Sequence, residues 1–141
     1  MSKKSAKIAE RIAEFQGSRH SGYYLGFFKC FNAGQFYEAH DVLEELWLAD
    51  RQGANGAFYK GLIQLAGAFV HLQKNRLRPA AALFKLAREN LSKYPSPHED
   101  LDLKQAIQMM ASWLTDLEAG GYELNPLGAT NHPYLILQSG P

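Results

Sequence analysis

Apolar positions recur with a helical period along most of the chain, and two segments stand out by their density. Over FYEAHDVLEELWLA, residues 36–49, a wheel at about 100° per residue gathers Phe36, Ala39, Leu43, Leu46 and Trp47 into one arc. Glu38, Asp41 and Glu45 fall opposite, as a solvated acidic face, and His40 and Glu44 lie between, one turn apart. A second helix is predicted over 57–72, with one apolar stripe of Phe58, Leu62, Leu65, Phe69 and Leu72 and another of Tyr59, Ile63, Ala66 and Val70. A helix apolar on two sides is covered on two sides, so this one is expected at the centre. Its remaining strip reads Lys60, Gln64, Gly67, His71 and Lys74. Gly61 and Gly67 each cost about 1 kcal/mol of helix propensity relative to alanine. That cost points to close approach of a neighbouring helix, or to room for a ligand.

The same period predicts the remaining elements. A short helix over 5–15 places Ile8, Ile12 and Phe15 on one side, and an aromatic helix over 22–31 carries Tyr23, Tyr24, Phe27, Phe28 and Phe31. Gly34 suits the left-handed position that ends a helix, and Asn75 stands in the same place after the central one. A helix over 78–91 has Ala80, Leu83, Phe84, Ala87 and Leu91 on its apolar face. Ser96-Pro97-His98-Glu99 reads as a helix start, with a Ser cap, Pro at the first position and Glu three residues after the Ser. It opens a capping helix over 97–119 with Leu103, Ala106, Ile107, Met110, Trp113, Leu114 and Leu117 in one arc. The tail, 122–141, is expected as an extended strap with one apolar patch over 134–137. The fold class is therefore all-α: about five main helices in antiparallel hairpins, without a sheet, as a single domain over 1–141. A degenerate repeat supports the hairpins, because Gly34, Phe36, Ala39 and Leu43 correspond to Asn75, Leu77, Ala80 and Phe84 at an offset of 41 residues. Their spacing is like that of tetratricopeptide hairpins, whose period is about 34, so a short helical stack is expected.

Composition narrows the function classes. With 15 basic and 14 acidic side chains the net charge is +1, which gives no argument for nucleic acid. The aromatic helix has only Lys29 beside it, so it reads as core and not as a base-stacking platform. No segment has the eighteen or so uninterrupted apolar residues of a membrane span. The single cysteine, Cys30, sits among phenylalanines as an inert thiol and fits the cytoplasm or another reducing compartment.

The polar residues of the central pair, with Trp47, are the candidate site. Counted from the loop near Gly53, Glu44 is nearly level with Gln64, and His40 is level with Gly67, within a turn of Gln64 and His71. His40, Glu44, Gln64 and His71 are thus expected to meet in one cluster between the helices. Gln64 and His71 are about 10 Å apart along the axis, too far for one ion to bind both. The plainest reading of the cluster is a buried hydrogen-bond network that fixes helix register. A small-ligand or peptide pocket lined by these residues and Trp47 is the next. His40, Glu44 and His71 also suit a divalent transition metal, although no cofactor is required. An acid/base or metal-dependent enzyme could use the same three residues, with Tyr37, Lys60 and Lys74 as substrate anchors. No serine or cysteine nucleophile belongs beside them, which favours a binding or scaffolding module over an enzyme. The expected partners are a second copy of the chain, through the aromatic helix, or a helix or peptide in a groove.

FNAGQFYEAHDVLEELW followed by YKGLIQLAGAFVHLQ resembles the signature of the family called domain of unknown function 309. The matching positions are Asn32, Gly34, an aromatic at Phe36 or Tyr37, Glu38, Ala39, His40, Leu43, Glu44, Trp47, Gly61, Leu62, Ile63, Gln64 and His71. The likeness covers 22–92. It implies an all-helical, tetratricopeptide-like fold and supplies no reaction, substrate or cofactor.

Overall fold

The computed structural model describes residues 8, 9 and 20–138. The helices that lie wholly within the described residues are α1 (Gly22–Asn32), α2 (Phe36–Asp50), α3 (Gly56–Gln73), α4 (Leu77–Leu91) and α5 (Leu103–Ala119). The all-α expectation holds: among the described residues there is no strand, only isolated bridges pairing His98 with Leu101 and Leu101 with Leu137. The short helix expected over 5–15 lies outside the described residues except at Ile8 and Ala9, which are helical, with Ile8 buried.

The offset of 41 residues is a structural repeat. Gly34 and Asn75 both take the left-handed backbone, at φ 79° and 56°. Around each, the same bonds close the helix: Gln35 N–H donates to Cys30 O at 2.9 Å and Arg76 N–H to His71 O at 2.8 Å, while Gly34 N–H reaches Phe31 O and Asn75 N–H reaches Leu72 O, both at 3.0 Å. The helices that follow, α2 and α4, have the same length of 15 residues. All of the paired positions, Phe36 and Leu77, Ala39 and Ala80, Leu43 and Phe84, are buried. One turn and the 15-residue helix that follows it therefore occur twice.

The central helix is central. The α3 helix packs on α2 and α4, with α1 against α2 and α5 against α4. Phe69 on α3 meets Phe31 of α1, Phe36 of α2, Phe84 of α4 and Trp113 of α5, with ring centroids 4.9–5.6 Å apart. Leu46, Trp47 and Trp113, expected in the core, are only partly buried and pack on its edge. Trp47 is at the end of α2 that runs past the core, and the Lys60 ammonium covers its ring at 4.4 Å.

The two helical glycines have different neighbours. A Cβ on Gly61 would lie 2.8 Å from Leu91 Cγ and 3.2 Å from Asn90 Cβ, so here α4 approaches the α3 backbone. Gly67 would meet only the end of Leu83, at 3.2 Å. Gly61→Ala is expected to lose about 1–3 kcal/mol through overpacking, more than the gain of up to about 1 kcal/mol in helix propensity. Chemical denaturation checks this; an unchanged or higher midpoint would contradict the close packing.

Two expectations need correction. The helix signalled at Ser96 begins six residues late, at Leu103, where Asp102 caps it by accepting from Gln105 N–H at 3.0 Å. Tertiary bonds outweigh the local signal. His98 is held between Phe58 and Tyr94, at 4.6 Å from each ring, and bonds Asn55 at 2.7 Å. Asp100 bonds His20 at 2.7 Å, and Leu101 is fully buried. Glu99 and Asp100 consequently adopt left-handed backbone, with φ of 48° and 61°. The Ser96 hydroxyl still caps the helix, from a distance, by accepting from Lys104 N–H at 3.0 Å.

The second correction concerns the aromatic face of α1, expected to be available to a partner. Tyr24, Phe27, Phe28 and Phe31 are all buried within the chain. Burial raises the Tyr24 phenol far above its ordinary pKa, and its hydroxyl donates to Glu99 O at 2.7 Å.

The described part of the tail, residues 122–138, is a strap, as expected. Asn125 donates to Leu72 O at 2.7 Å beside the second turn, and His132 bonds Asn32 O at 2.8 Å and stacks on Phe36 beside the first. Leu135 is buried, and Gln138 N–H pairs with Asp100 O at 2.7 Å.

Candidate functional site

A cleft of about 230 Å³ opens where α2, α3 and α4 meet, near the turn that ends α3. The first turns of α2 contribute Tyr37 and His40; the last turns of α3 and its cap contribute Gly67, Val70, His71 and Lys74; α4 contributes Leu83. The helical period explains the α3 wall, because positions 67, 70, 71 and 74 fall on one strip. Gly67 leaves the space that a side chain would occupy.

The predicted site residues divide among three places. His40 and His71 line this cleft together. Glu44 stands one turn from His40, with its carboxylate 3.9 Å from His40 Nε2, while His40 Nδ1 is 3.4 Å from the Asp41 carboxylate. Gln64 is engaged elsewhere: its carbonyl oxygen accepts from Asn90 of α4 at 2.8 Å. Trp47 lies under Lys60. The expected buried network is accordingly not what forms. His40 and Glu44 are each 31% exposed, Gln64 and His71 are half-buried, and the described core holds no buried polar or charged residue. Among the described residues no group of three His, Cys, Asp or Glu side chains is gathered to hold a metal ion.

His71 is the unusual member. Its Nδ1 is buried and has no hydrogen-bond partner. Burial holds its pKa below the ordinary histidine value, and the positive charges of Arg76 and Lys74 add to the effect. The imidazole is therefore neutral at pH 7, with one ring nitrogen to donate and one to accept. In the unfolded chain His71 titrates near its ordinary value of about 6.5. Its contribution to stability is then complete above that pH and is lost as the pH falls through it toward the lower folded value. Thermal melts between pH 7.5 and 5.5 should lose less stability in His71→Gln than in the unaltered protein; equal losses would contradict the assignment.

Tyr37, Lys74 and Gly67 are legible in the sequence as anchors and as a gap. Val70 and Leu83 are not, because their spacing assigns them to core stripes. Asn90 as the partner of Gln64 has no local signal, being 26 residues away on another helix.

Fold and cleft together define an all-helical fold with a histidine-lined cleft between α2, α3 and α4. Residues 24–83 match the model of the family described as Domain of unknown function (DUF309). The matched span holds every residue that lines the cleft, from Tyr37 to Leu83. Comparison with curated proteins and with solved structures gives no match.

Proposed function

We propose that the protein is a binding module whose site is the cleft between α2, α3 and α4, and that it takes a small ligand carrying a hydrogen-bonding group for His71. The observation that carries this reading is the buried, unpartnered Nδ1 of His71 in a cleft wall. Leaving such an atom unsatisfied costs about 1–3 kcal/mol, and a ligand that turns the ring to bring Nδ1 into the cleft recovers that cost. The volume favours a small molecule, since pockets for drug-sized ligands run to about 300–1,000 Å³. Gly67 fits the same reading, because it gives up helix propensity where its missing side chain keeps the cleft open.

The test is a fragment screen of small acids, amines and amides, read on the imidazole nitrogen signals of His40 and His71 by NMR. Saturable shifts at His71 with at least one fragment are expected, with smaller ones at His40. A screen that moves neither histidine at millimolar concentration would overturn the reading.

A further inference from the structure

Two walls of the cleft differ in charge, and the difference selects a ligand. On the α3 side stand Lys74, at the rim, and the neutral imidazole of His71, with Arg76 close enough to act on that imidazole. On the α2 side His40 is flanked by the carboxylates of Asp41 and Glu44. Between them the lining is apolar, from Gly67, Val70 and Leu83. Building on the binding reading above, we infer that the ligand is a small monocarboxylate with a short aliphatic body. Its carboxylate lies against Lys74 and His71, and its body lies on Val70 and Leu83.

Each part follows from the chemistry of the walls. A carboxylate accepts from an ammonium and from an imidazole N–H in charge-assisted bonds. His71 can present an N–H from either ring nitrogen, since the tautomer follows the bond it is offered. An ammonium ligand would meet Lys74 as a like charge. A dicarboxylate would direct its second charge toward Asp41 and Glu44, so a single carboxylate is preferred. The volume, about 230 Å³, leaves room for a body of a few carbons.

The experiment titrates the full chain with isobutyrate, isobutyramide and isobutylamine, which share one carbon skeleton and differ in charge. Binding is followed on the His71 imidazole signals. Isobutyrate should saturate these shifts, and the amide should bind about tenfold more weakly, the equivalent of one charge-assisted hydrogen bond. Lys74→Met, a change at an exposed side chain, should remove most of that tenfold preference. The amide or the amine binding as tightly as isobutyrate would overturn the carboxylate inference while the cleft remained a binding site. Isobutyrate shifts that persist undiminished in Gly67→Ala would place binding outside the cleft and overturn both. Silence from all three probes would overturn the carboxylate inference alone, since the binding reading is decided by the wider screen.

Discussion

Phe69→Ala is expected to destabilise the protein by about 3–5 kcal/mol, the range for removing a fully buried phenylalanine. For a chain of this length that is a fall of roughly 10–20 °C in Tm. The effect should be at the upper end of the range, because the ring is shared by four helices. It stacks on Phe36 at 4.9 Å and meets Phe31, Phe84 and Trp113 edge-on. No single neighbour can collapse into the space without leaving another contact, so the cavity persists. Urea denaturation of the two proteins measures the difference. A loss below about 1 kcal/mol, typical of a half-exposed site, would mean that α3 is not the helix around which the others pack.

Asn32→Ala is expected to cost about 2–3 kcal/mol, through unsatisfied backbone groups more than through lost packing. The Asn32 side chain makes both bonds to the strap at Leu135: its Nδ2 donates to Leu135 O at 3.0 Å, and its Oδ1 accepts from Leu135 N–H at 2.8 Å. Leu135 is buried, so water does not readily replace either bond. Asn32→Asp keeps the acceptor but sets a carboxylate oxygen against Leu135 O, and should cost at least as much. Amide hydrogen exchange localises the effect: Leu135 should lose protection in Asn32→Ala while the α3 amides keep theirs. Equal loss at both places would show that the strap does not open separately from the helices.

The helices were legible because their burial is periodic, and the repeat was legible because one turn geometry recurs. Gly34 and Asn75 share a left-handed backbone that few residues adopt, and the buried residues after each follow the same helical spacing. The start of α5 was not legible. The cap signal at Ser96 is local, whereas the bonds that delay the helix come from Asn55, His20 and the strap, far away in sequence. The candidate site was legible in part for the same reason. One helical period brings His71, Gly67 and Lys74 onto one strip and sets His40 on the facing helix. Whether Gln64 joins them depends on Asn90, on a third helix whose register no pattern in α2 or α3 specifies. The aromatic face of α1 looked available only because its cover is assembled from distant parts of the chain.

Gly67→Ala separates binding in the cleft from stability. The added methyl enters the cleft and meets only the flexible end of Leu83, at 3.2 Å. Helix propensity gains up to about 1 kcal/mol, so the melting temperature should hold or rise. The measurement is a titration of this variant beside the unaltered protein with a fragment that shifts His71 in the latter. The His71 shifts should disappear or need far more ligand, in a protein at least as stable. Unchanged affinity in a stably folded Gly67→Ala would contradict this.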